Sequence, residues 1–207
     1  MGAIRLRTEV SYVLRGVAVV VAAVGLASCS TGVSTPPEET ITYSAAYVSY
    51  DSPESLTADA ALIVEVRVFR SEVREIPLES HPDGTGPRSN PALGATSETV
   101  AMPPLIYTVA TITIQRVIRG DAEVGAALEV KQLGGTLDGR SAVLPGAATL
   151  ATGSTYVLYL GPGGEGPSSL LNQDQAAYIE VAPGAFAPAV QGDAVAREVA
   201  TLLSSDR

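Results

Sequence analysis

The sequence predicts a mainly β domain, a small barrel or sandwich, with one short helix before its strands and one amphipathic helix after them. Three observations carry this prediction. Stretches rich in β-branched residues alternate apolar and polar positions between residues 62 and 181, the period-2 signature of half-buried strands. Turn residues separate them at Arg119-Gly120-Asp121 and Asp138-Gly139. No helical pattern lies between the strands, so the crossovers that a parallel α/β sheet needs are missing. About 135 ordered residues suffice for one core.

The chain opens differently. Arg5, Arg7 and Arg15 give a basic start, and residues 16–27 then run without a charge, the plan of a secretory signal. A membrane-spanning helix needs about 20 apolar residues, more than this run offers. The run ends in Leu26-Ala27-Ser28-Cys29, which contains the only cysteine of the 207 residues. These four residues resemble a bacterial lipobox. The resemblance implies that residues 1–28 are a lipoprotein signal peptide, cleaved after Ser28, and that the Cys29 sulfur carries a diacylglyceryl group. It also implies lipid anchoring on the exported side of the cell membrane, with the amino group of Cys29 open to acylation such as palmitate. A thiolate is the soft nucleophile such alkylation needs, and two acyl chains hold a protein stably where one holds marginally. With no second cysteine, an intrachain disulfide is excluded.

Cleavage would remove 3 of the 13 basic and 1 of the 22 acidic side chains, leaving 10 and 21 and a net charge of about −11. That balance argues against nucleic acid or an anionic headgroup surface as partner. Residues 29–42 read as a disordered tether, since paired prolines and the acids Glu38 and Glu39 bury too little apolar surface to fold. Its 13 residues after Cys29 have a typical reach of about 20 Å.

A single β-barrel domain is expected over residues 43–207. Asp51 or Ser52 can cap a short helix that starts at Pro53, with Glu54 at its positive end. In "ALIVEVRVFRSEV", Leu62, Val64, Val66 and Val68 share one face, and Glu65, Arg67 and Ser71 the other; Ile63 and Phe69 interrupt the polar side. Residues 76–104 carry six prolines and three glycines without a sustained period, a loop long enough to be functional or disordered. Then "LIYTVATITIQRVIRGD" puts Ile106, Ala110, Ile112, Ile114 and Ile118 in phase, and "ALEVKQLGG" points Leu128 and Val130 inward. The Asp138-Gly139 turn suits a hairpin. Strands follow around residues 156–160 and 178–181, with Tyr156 and Tyr159 on opposite faces, one in the core and one on the surface. A short edge strand is expected near Phe186, limited by Pro188. Val195, Val199, Leu202 and Leu203 recur at helical spacing after Asp193.

A second resemblance rests on Val117-Ile118-Arg119-Gly120, "VKQLGG" at 130–135, and Gly153-Ser154-Thr155 before "YVLYL". Together they resemble a cysteine-poor group of netrin-like proteins, related in fold to the tissue inhibitors of metalloproteinases. The resemblance covers about residues 50–190 and implies an OB-like β-barrel. It implies little about activity, because those inhibitors chelate zinc through a free N-terminal cysteine, and lipid on Cys29 would occupy that terminus.

The residues themselves offer few chemical motifs. "GPGGEG" at 161–166 fits G-x-G-x-x-G, yet its prolines and Glu165 suit a turn better than a dinucleotide site. Glu72, Glu75, Glu79, His81 and Asp83 gather carboxylates around the only histidine. Without a second histidine or a cysteine they read as a solvated acidic loop rather than a metal site. Any Ser-His-Asp machinery would depend on His81. Tyr43, Tyr47 and Tyr50 are spaced as on a core-facing helix, or as a stripe for a partner or glycan. The expectation is a non-catalytic binding or interaction role in the cell envelope, toward a protein or glycan, without a cofactor. An envelope hydrolase, an inhibitor-like module and a metal-binding module are the alternatives.

Overall fold

The computed structural model describes residues 39–77, 103–164 and 166–205. Cys29, the signal peptide and the tether up to residue 38 lie outside the described residues, as do Glu79, His81, Asp83 and most of the expected loop 76–104.

The first element corrects the expected tether. Glu39–Thr42 form a strand, β1, paired in parallel with residues 140–143. Three of its four residues are β-branched, and the partner arrives from about a hundred residues away. Residues 43–50 are not helical, so the tyrosine spacing does not make a helix face. Tyr50 is buried and Tyr47 exposed, while the Tyr43 hydroxyl accepts a hydrogen bond from the Ile106 amide at 3.1 Å.

Helix α1 (Pro53–Asp59) starts as its sequence predicts. Ser52 caps it, accepting from the Ser55 amide at 3.2 Å, while the Ser52 amide donates to the Ser55 hydroxyl at 3.3 Å. Two long strands follow, β2 (Leu62–Ile76) and β3 (Leu105–Arg119), antiparallel to each other. The chain then forms β4 (Ala127–Leu133), β5 (Gly135–Leu137) and β6 (Arg140–Val143). Asp138 and Gly139 join the last two with φ of 49° and 76°, the double positive φ of a type I′ turn. Next come β7 (Thr155–Leu160), β8 (Ser168–Ser169), β9 (Ala177–Ala182), β10 (Ala185–Pro188) and helix α2 (Ala194–Ser205).

The strands form a seven-stranded sheet in the order β10-β9-β7-β2-β3-β4-β8 and a three-stranded sheet in the order β1-β6-β5. The order of the larger sheet is open, so its ladder does not close as a complete barrel. One end nonetheless reaches back to β7. β8 pairs in parallel with β4, and the next residue, Leu170, bridges to Leu160 of β7. The Gly161 amide donates to the Ser169 carbonyl at 3.0 Å, and the Leu171 amide to the Tyr159 carbonyl at 3.1 Å.

One face of β2 and β3 supplies Val64, Val66, Val68, Ile112 and Ile114 to the main core, as their periodicity predicts. On the other face Ile63 and Glu65 are also buried, opposite Tyr159 and Val157 of β7. Arg119, which faces Ile63 in the ladder, donates to the carbonyls of Thr57 and Ala58, and Leu56 and Ala60 join the core cluster, so α1 packs at this end of the sheet. Tyr156 and Tyr159 are therefore both buried, which corrects the expected core and surface pair. Tyr156 faces the inner core, and Tyr159 meets Tyr178 edge to face at 5.7 Å. Burial pushes the phenols of Tyr159 and Tyr178 above the ordinary tyrosine range.

Helix α2 buries Ala196, Val199, Ala200 and Leu203, an i, i+3, i+4, i+7 stripe. Leu202 falls off that stripe and is 52% exposed, against expectation. Asp193 caps the helix by accepting from the Ala196 amide at 2.9 Å.

Candidate functional site

Register shifts place three extra residues in the β2 and β3 pair. Ile118 falls between the pairs Ile63↔Arg119 and Val64↔Val117, Gln115 between Glu65↔Arg116 and Val66↔Ile114, and Phe69 between Val68↔Ile112 and Arg70↔Thr111. A bulge turns its extra side chain away from the alternating pattern. All three are exposed: Ile118, expected in the core, at 38%, and Phe69 at 72%.

Phe69 and Gln115, bulged from facing strands, flank a surface depression of about 320 Å³. Arg67, Val68, Thr113, Thr152 and Gly153 complete its lining. The Gly153 amide donates to the Val68 carbonyl at 2.9 Å, and the Val68 amide to the Ser154 carbonyl at 3.0 Å. These bonds fasten the turn before β7 to the middle of β2. Gly153 has φ of 84°, which explains a glycine there.

The charges around the depression are unevenly committed. Arg70 donates to Thr111 Oγ1 at 3.2 Å, and Arg74 pairs with Glu72 at 3.0 Å and Glu129 at 2.5 Å. Arg116 pairs with the buried Glu65 at 3.1 Å, and Arg140 with Glu75 at 2.7 Å. Arg119 donates to the carbonyls of Thr57 and Ala58, Arg197 to that of Gly192, and Lys131 stands 5.8 Å over the Tyr107 ring. Arg67 alone among the described basic side chains has no such partner. It lies across the ladder from Thr113 and lines the depression.

Of the predicted acidic group, Glu72 and Glu75 both sit on β2 and are engaged by arginines; Glu79, His81 and Asp83 are outside the described residues. Among the described residues no cluster of three or more His, Cys, Asp or Glu side chains is placed to hold a metal ion. The glycine-rich run after β7 leads to β8, not to a helix.

The residues that carry the netrin-like resemblance serve packing. A Cβ on Gly120, whose φ is 93°, would stand 2.5 Å from the Ala61 carbonyl oxygen. At Gly135 it would stand 2.8 Å from Val73 and Thr108 side-chain atoms. Gln132 is buried, donating to the Ala148 carbonyl at 2.6 Å and accepting from the Leu150 amide at 3.0 Å.

A buried amide cluster at 172–175 went unread in the sequence, where a polar run looks like a solvated loop. Asn172 Nδ2 donates to the Val48 carbonyl at 3.0 Å, and Gln175 Nε2 to the Tyr50 carbonyl at 3.0 Å and Asp193 at 2.7 Å. The cluster fastens the segment before α1 to the start of α2. Gln173 Oε1 is buried beside it without a hydrogen-bond partner.

No protein-family model matches the chain, and no curated protein sequence matches it at a significant level. No described helix is long and apolar enough to cross a membrane.

Proposed function

We propose that this chain is an exported bacterial lipoprotein, cleaved after Ser28 and anchored to the cell membrane through lipid on Cys29. Its folded part is a non-catalytic binding module of the cell envelope. The observation that carries the binding reading is the depression between the two bulges, where an exposed Phe69 stands beside an Arg67 that has no partner among the described residues. An exposed aromatic beside an uncommitted guanidinium offers a partner an apolar contact and a fork of hydrogen-bond donors at one place. A non-catalytic role is supported by the engagement of Glu65, Glu72, Glu75 and Glu129 in ion pairs. The lipobox residues Leu26-Ala27-Ser28-Cys29 support the anchor.

The netrin-like, OB-like barrel belongs to the same proposal. Its support is the β2-β3-β4 meander, the pairing of β7 with β2, and the segment 168–171, which reaches β4 on one side and β7 on the other. β1 takes residues 39–42 out of the expected tether, so 9 residues of sequence lie between Cys29 and the first strand.

Replacing Cys29 with Ala tests the anchor. The variant is expected in the soluble fraction, with the wild-type N-terminal peptide carrying the mass of a diacylglyceryl adduct. Retention of Cys29→Ala in membranes, or an unmodified wild-type peptide, would reject it.

A further inference from the structure

We infer that the depression at Phe69 takes a carboxylate-bearing side chain, with an adjacent apolar one, presented by a polypeptide partner. The inference rests on the binding reading above and adds the chemistry of the ligand. Arg67 is the chemical selector. Seven of the eight described basic side chains already have an acceptor or an aromatic ring, and the four other arginines of the β2-β3 ladder, Arg70, Arg74, Arg116 and Arg119, all hold oxygens of the protein itself. The Arg67 guanidinium keeps its planar fork of donors for a group from outside, and a carboxylate matches that fork with two parallel hydrogen bonds.

Phe69 supplies the apolar half. At 72% exposure its ring projects from the bulge, so most of its faces and edges are available for contact. Thr113, Gln115 and Thr152 add hydroxyl and amide groups to the lining. The volume, about 320 Å³, holds one or two side chains rather than a folded ligand.

The same geometry selects the kind of partner. Pockets for free small molecules enclose roughly 70 to 90% of their ligand. Here Arg67, Phe69 and Gln115 are themselves exposed, so the depression covers one side of whatever lies in it. A side chain held by a larger chain tolerates that. An anionic bilayer surface fits poorly, because the cleaved chain carries a net charge of about −11 and one uncommitted arginine does not offset it. Opposing net charge acts on a protein partner only weakly at physiological salt, where screening reaches about 8 Å, whereas contact at Arg67 lies inside that distance.

The test uses the full-length lipoprotein in detergent micelles and two fluorescent peptides, Gly-Glu-Phe-Gly and Gly-Gln-Phe-Gly, read by anisotropy. The Glu peptide is expected to bind about 10-fold more tightly than the Gln peptide, the size of a charge-assisted hydrogen bond. Arg67→Gln should abolish that difference and leave the Gln peptide unaffected, and Arg67→Lys should restore only part of it. Phe69→Ser should weaken both peptides. Both side chains are exposed, so unchanged circular dichroism will show that the variants fold. Equal affinity for the two peptides, with Phe69→Ser still weakening both, overturns the carboxylate assignment and leaves the binding reading standing. If Phe69→Ser changes neither peptide, or if the protein binds only phosphatidylglycerol vesicles, both are overturned.

Discussion

Residues 62–68 and 69–76 are consecutive halves of one strand with similar alternation, yet they meet different surroundings. In the first half both faces are covered: Val64 and Val66 point into the core, while Ile63 and Glu65 on the other face are also buried, beside β7. In the second half β7 no longer runs alongside, Phe69 bulges out, and Arg70, Glu72 and Arg74 form an exposed charged row. Charges on an unpaired strand edge discourage strand addition. What stands beside a strand, rather than its own periodicity, therefore decides which half is buried on both faces and which half stays open.

The largest expected effect breaks this contrast where it is strongest. Ile63→Ala should destabilise the fold by about 2 to 5 kcal/mol, the usual result of emptying a buried aliphatic site. Phe69→Ala, six residues on, should stay within about 0.5 kcal/mol. Urea denaturation of both variants checks the pair, and similar midpoints would mean that the two halves do not differ as described.

A smaller effect sharpens the same contrast in the arginines. Arg116→Gln removes the guanidinium that pairs with the buried Glu65, and should cost about 1 to 2 kcal/mol, since Arg116 is itself partly exposed. Arg67→Gln should leave the denaturation midpoint where it is. A matching loss in both would show that Arg67 holds the fold together instead of waiting for a ligand.

Much of the fold was legible in the residues because its signals are local. Ser52-Pro53 marks a helix start, Asp138-Gly139 a tight hairpin, and the alternation in 105–114 a strand, without reference to distant partners. β1 was not legible, because four residues become a strand only when residues 140–143 arrive beside them. The burial of both Tyr156 and Tyr159 was not legible for the same reason, since Tyr178 arrives from β9 to meet Tyr159 on the second face. The candidate site was visible only as a flaw, Phe69 interrupting a polar face. Its meaning came from register: bulges at Phe69 and Gln115 are properties of two strands pairing, and neither strand announces them singly. The conspicuous glycines and Gln132, in contrast, turned out to serve close backbone approach and buried hydrogen bonds.

The central claim is that the open half of β2 is the face a partner meets in the envelope. A photo-crosslinking phenylalanine analogue placed at residue 69 tests it in intact cells, with the same group at Leu202 of α2, another exposed apolar position, as the control. The account predicts a discrete crosslinked product from position 69 that disappears when Arg67→Gln is added, and none from position 202. Equal crosslinking from both positions, or a product from 69 that is indifferent to Arg67, would contradict it.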